Sequence, residues 1–172
     1  MESRVKLLGH ALHPMLVVFP LGLLATSVIF DVVGSLTGSA EFHRVAYWLI
    51  IPGVAFGLLA AIPGWIDWAG IPAGTRARRV GLTHGLGNTV VLLGFALSGW
   101  LRFGGDPGAP GTAAIVLSFL SIGLGLFTAW LGGELVDRLG VGIDRGANLN
   151  APSSLSGHSA LETPGDSVRE PV

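Results

Sequence analysis

Cysteine is absent from this chain. Disulfides, thiolate metal sites, cysteine-ligated iron–sulfur clusters and covalent c-type haem attachment are therefore all excluded. Any metal would have to be held by histidine, carboxylate or backbone groups. Charge is also scarce, at 12% of 172 residues with a formal net charge of -1, and no basic stripe offers a footprint for nucleic acid. Three catalytic signatures are missing as well: the GxSxG elbow, the HExxH pair and the GxxxxGK[ST] phosphate loop. Their absence argues against a hydrolase or NTPase and favours a chain that is not an enzyme on its own.

What is plentiful is apolar surface. Half of the residues are hydrophobic and the mean hydropathy is +0.65, too apolar for an ordinary domain in water. The apolar residues fall in four runs, residues 14–34, 46–66, 81–101 and 112–135. Each has about the 20 residues that a helix needs to cross a bilayer. A soluble helical protein would show a face of Lys and Glu on each helix, and these runs have almost none. The expected fold is all-α, an integral membrane four-helix bundle over residues 1–145. Residues 146–172, rich in Ser, Gly, Pro and Asn, read as a disordered cytoplasmic tail. The basic residues before the first run resemble a signal peptide, but that run is long and no small-x-small cleavage site follows it. An uncleaved first helix is expected.

The cations are unevenly placed. Arg4, Lys6, Arg76, Arg78, Arg79, Arg138, Arg145 and Arg169 lie on one side of the four spans, and only Arg44 and Arg102 on the other. By the positive-inside rule both termini are cytoplasmic. Tyr47, Trp48 and Trp100 would then belong to the outer aromatic belt, and Trp65 and Trp68 to the inner one.

Glycine is abundant, 27 residues, and small residues recur every fourth position: Gly53, Gly57 and Ala61; Gly81 and Gly85; Ser121, Gly125, Ala129 and Gly133. Such ridges let helix backbones approach closely in lipid. Pro20, Pro52 and Pro63 fall within or near spans, whereas Pro14 suits the first helical position, where its missing N–H would be unpaired anyway.

Polar groups near membrane ends mark candidate sites. On the expected cytoplasmic side these are His10, His13, Asp67, Arg76, Arg78, Arg79, His84, Glu134 and Asp137, with contributions from every helix. His13 and His84 lie near expected helix N-termini, where the dipole opposes protonation and favours the neutral imidazole that binds metal or haem iron. Asn88 shares the face of His84. Asp67 and Glu134 lie near helix C-termini, where a carboxylate needs a compensating cation or proton. Two readings are open. In one, His13, His84 and Asp67 gather around a metal, or His13, His84 and Asn88 around haem b or a quinone, with Asp67, Glu134 and Arg79 as a supporting shell or proton path. In the other, Asp67 pairs with Arg76 or Arg79 and the polar layer only pins the loops of a structural or partner-binding subunit. On the outer side Asp31, Arg44 and Arg102 are expected to form an ion pair. His43 and His158 read as loop and tail residues.

The run His13-Pro14-Met15-Leu16-Val17-Val18-Phe19-Pro20-Leu21-Gly22, with Asp31, Gly64-Trp65-Ile66-Asp67-Trp68, Arg79, His84, Asn88 and Trp130-Leu131-Gly132-Gly133-Glu134-Leu135-Val136, resembles the bacterial membrane-protein family catalogued as domain of unknown function 2231. The resemblance covers roughly residues 8–145 and implies four helices in the bacterial inner membrane. Some relatives in that family are joined to Rieske-type iron–sulfur domains, so the resemblance favours an electron-transfer setting. The expected partners, besides the lipid bilayer, are a redox protein or further copies of the chain in a homo-oligomer. Asp137 departs from the family, where an aromatic is common. The leading expectation is a small redox- or metal/haem-associated membrane subunit. Solute transport is disfavoured, because the membrane centre carries no charge.

Overall fold

The computed structural model describes residues 1–162. A two-residue hairpin, β1 (Lys6–Leu7) and β2 (His10–Ala11), precedes four helices: α1 (Leu12–Thr37), α2 (Ala40–Gly70), α3 (Arg76–Phe103) and α4 (Thr112–Gly133). The last helix runs on through one π-helical turn, Glu134–Arg138. All four are long and apolar enough to span a bilayer. The end where α1 and α3 begin is called proximal, and the other end distal.

Local chemistry sets the boundaries. Gly38 ends α1 in the left-handed conformation (φ 70°), which a residue without Cβ adopts freely. Thr75 caps α3, its hydroxyl accepting from the Arg78 backbone N–H at 3.2 Å. Three helices start earlier than the apolar runs indicate: α1 at Leu12, α2 at Ala40 and α3 at Arg76. Polar first turns are compatible with helix outside the hydrocarbon, so hydropathy underestimates each start. Pro14 still falls in the first turn of α1, and the helices continue through Pro20, Pro52 and Pro63. The described part of the tail, residues 146–162, contains neither helix nor strand, and the remainder of that expectation, 163–172, lies outside the described residues.

The helices pack in a circuit, most closely α1 on α2 and α3 on α4, then α2 on α3, with a lighter α1–α4 contact. This leaves α1 and α3 facing each other across the interior. Leu24 and Val28 of α1, Ile50 of α2, and Val91 and Phe95 of α3 form the core. Leu, Ile and Phe side chains are exposed on the outer faces, as a lipid-facing surface requires. Gly53 lies under Leu24, and Gly57 under Leu92, so close that a Cβ on either would displace the leucine. On α4 the small-residue seam differs from the expected ridge: Ala129 and Gly133 are exposed, and the contact instead follows Ser121, Gly125, Thr128 and Gly132.

Candidate functional site

His13 is the second residue of α1, and its half-buried ring leans onto α2. Its Nδ1 lies 2.8 Å from the Ala60 carbonyl oxygen. His84 of α3 leans onto α4 in the same manner, its Nδ1 2.8 Å from the Thr128 carbonyl oxygen. A carbonyl can only accept, so each Nδ1 carries the proton, and in the neutral ring the lone pair resides on Nε2. Each ring also rests on a glycine one turn beyond its carbonyl partner. A Cβ on Gly64 would lie 2.8 Å from His13 Nδ1, and one on Gly132 would lie 3.1 Å from His84 Cε1. The two ring centroids are 6.3 Å apart with planes at 84°.

Asn88 is held over His84. Its Oδ1 accepts from Thr128 Oγ1 at 2.9 Å, which orients its NH2 group toward the His84 carbonyl oxygen at 3.0 Å. The same Nδ2 lies 3.2 and 3.4 Å from the two ring nitrogens. The in-plane lone-pair directions of those nitrogens diverge, so one amide nitrogen near both sits over the ring face and does not occupy Nε2.

The carboxylates do not join the histidines. Asp67 accepts from the Arg4 backbone N–H at 2.6 Å and from Ser3 Oγ at 2.7 Å, so it fastens the N-terminal segment and pairs with neither Arg76 nor Arg79. Glu134 accepts from Arg76 Nη2 at 2.6 Å. Arg79 is exposed, and its guanidinium makes no ion pair among the described residues. No three His, Asp or Glu side chains converge on a metal position among the described residues, which corrects the expected His13, His84 and Asp67 set. The expected influence of the helix dipole on His84 does not hold either. With α3 beginning at Arg76, His84 lies more than two turns inside the helix, beyond the reach of the N-terminal field.

Above Asp67, the proximal end is tied together by contacts between the N-terminal segment and the stretch that follows α4. The Met1 amine donates to Gly140 O at 2.6 Å, Lys6 bridges Glu2 and Asp144, and the Arg145 backbone N–H donates to Glu2 Oε1 at 3.0 Å. That amide holds the exposed Glu2 carboxyl below its ordinary range, with Lys6 adding to the effect, while Asp144 raises the Lys6 ammonium.

At the distal end a second polar cluster is wholly enclosed. Arg102 donates to both oxygens of Asp31, at 2.8 and 2.6 Å, with the two residues 1% and 0% exposed. Ser98 and Ser118 flank the guanidinium at 3.4 Å. The third partner of Asp31 is His43, whose Nδ1 donates at 2.9 Å, and not Arg44. Arg44 faces outward to Glu41 and Asp106. His43 looked like a loop residue because α2 begins six residues before its apolar run; counted from Ala40 it lies in the first turn, on the face that meets α1.

The family whose sequence pattern matches residues 9–145 is described as "Predicted membrane protein (DUF2231)". The chain belongs to this family. No curated protein and no solved structure matches it. Membership agrees with the four spans and establishes a multi-pass membrane protein in a lipid bilayer.

Proposed function

We propose that this member of the DUF2231 family is a small subunit of the bacterial inner membrane that carries a metal centre, haem iron or a bare ion, between His13 and His84. The observation that carries the reading is the shared dressing of the two rings. Each Nδ1–H is committed to a carbonyl of the neighbouring helix, at 2.8 Å in both cases, which fixes the tautomer and leaves Nε2 as the ligating atom. This is the outer-shell arrangement that orients metal-binding histidines and raises their basicity. Asn88, held by Thr128, steadies the His84 ring from above. Both termini are assigned to the cytoplasm on the eight-to-two distribution of cations. Single cysteines, introduced into this cysteine-free chain at Lys6 and at Asp106, should react with an impermeant thiol reagent from opposite sides of the membrane.

The test of the metal centre is an ultraviolet-visible spectrum with metal analysis of detergent-purified protein. A Soret band or one bound metal per chain is expected, lost in His13→Ala and in His84→Ala and retained in Asp67→Asn. A wild-type protein with neither, or an unchanged load in both histidine variants, would overturn the reading. The 84° angle between the rings favours a second reading, an edge-to-face contact in a structural or partner-binding subunit. The histidine substitutions would then cost stability, with no spectral feature to lose.

A further inference from the structure

The two rings are alike in more than their hydrogen bonds. At a constant offset of 71 residues, His13 falls on His84, and the buried α1 positions Pro20, Leu24, Ser27 and Asp31 fall on buried α3 positions Val91, Phe95, Ser98 and Arg102. At an offset of 68, buried Ala46, Ile50 and Ala60 of α2 fall on buried Ala114, Ser118 and Thr128 of α4. The same offset carries Gly64, under His13, onto Gly132, under His84. So the first helix of each pair sends a histidine to the carbonyl at one register position of the second, above a glycine one turn on.

We infer that the bundle is two copies of one helical hairpin related by an approximate two-fold axis along the helices, with the His13–His84 pair and the Asp31–Arg102 pair both lying on that axis. Both hairpins begin at the proximal end, so the axis runs along the membrane normal, as in parallel repeats of membrane proteins. The pairing of α1 with α2 and of α3 with α4 as the closest contacts fits two like units. Resting on the metal reading above, the axis also defines the class of ligand. Each repeat offers one imidazole whose Nδ1–H is committed to a backbone carbonyl. The proximal carboxylates have no counterpart, since Asp67 corresponds to Leu135 and Glu134 to Ile66. The centre is therefore one that takes two equivalent nitrogen ligands and no protein carboxylate: haem iron, which brings its own equatorial ligands, or a two-coordinate ion such as monovalent copper.

Two measurements on the full chain test this. Haemin and monovalent copper serve as separate probes of the wild type, His13→Ala and His84→Ala. The axis predicts that the two variants lose affinity for whichever probe binds by the same factor, to within about threefold, and retention by one variant alone would refute an on-axis site. The repeat itself is read without a ligand, from thermal unfolding in detergent. Exchanging equivalent core residues, Leu24→Phe with Phe95→Leu, should recover most of the Tm lost by either single change, since the exchange preserves a two-fold core. Exchanging two non-equivalent members of that core, Leu24→Val with Val91→Leu, should recover clearly less of its loss, because it keeps the total volume without keeping the two-fold register. Equal behaviour of the two exchanges would overturn the repeat. A wild type that binds neither probe removes the metal reading while leaving the exchanges to decide the symmetry.

Discussion

Replacing Arg102 by methionine removes a guanidinium that is 1% exposed and holds both oxygens of Asp31. The carboxylate left behind is fully enclosed, and its remaining partner is His43 at 2.9 Å. Loss of one member of a buried pair costs about 3–5 kcal/mol, because a charge is left desolvated without its counter-ion. Asp31→Leu alone leaves the guanidinium with only Ser98 and Ser118, each at 3.4 Å, and should cost as much. In the double variant, Asp31→Leu with Arg102→Met, no charge remains, and the main unsatisfied group is the His43 N–H, a cost of about 1–3 kcal/mol. The double should thus be more stable than either single, and the two effects should fail to add by several kcal/mol. Reversible unfolding in mixed micelles, followed by tryptophan fluorescence, measures all four corners of the cycle. A single Arg102→Met variant as stable as wild type, or a double less stable than either single, would refute the reasoning.

Gly64→Ala places a methyl group 2.8 Å from His13 Nδ1, and Gly132→Ala places one 3.1 Å from His84 Cε1. Each should displace its ring and lower the bound metal or haem severalfold while the far-UV helix signal stays at wild-type strength; an unchanged load would separate the rings from the site. The clasp between Glu2 and the Arg145 amide should depend on pH in one direction. Because the Glu2 pKa is depressed from 4.5, its contribution is full above that value and is lost as pH falls through the lowered pKa, so Arg145 amide exchange, corrected for intrinsic rate, should lose its protection only below pH 4.5. Loss of that protection already at neutral pH would contradict it.

The four spans were legible because a helix in lipid must be apolar over about 20 residues, a constraint that acts on every position in the run. Their ends were not, since residues 40–45 and 76–80 are helical outside the apolar runs. Two side chains are obscured by those hidden starts: His43, which hydropathy puts in a loop, bonds Asp31 from the first turn of α2, and His84 lies too deep in α3 for the dipole to act on it. Asp67 was misplaced for a different reason. Its partners are the hydroxyl of Ser3 and the backbone amide of Arg4, and a backbone donor leaves no trace in residue type. The proximity of His13 to His84 was legible as a layer, but the carbonyls that fix their tautomers belong to Ala60 and Thr128, side chains with nothing in common.

The same absence of likeness explains why the proposed two-fold relation is faint in residue type and is carried instead by the register of buried positions. What a symmetric pair of hairpins must preserve is the register of buried positions, and those positions accept Leu or Phe, Pro or Val, Ile or Ser according to the volume left by neighbours. Residues on the axis itself meet their own equivalents and are constrained by charge. Two neutral imidazoles can face each other unchanged, so the proximal position is histidine in both halves. A charged pair cannot: two aspartates or two arginines enclosed at the distal position would repel across a few ångströms of low-dielectric interior. An ion pair is compatible with the axis only if the halves differ there, as Asp31 and Arg102 do. The distal end therefore fixes which hairpin is which, and His43, whose counterpart by register is Gly111, has a carboxylate to bind in one half only. The proximal end has no charge to resolve, so both halves can keep the same side chain there, and the two imidazole rings stand 6.3 Å apart.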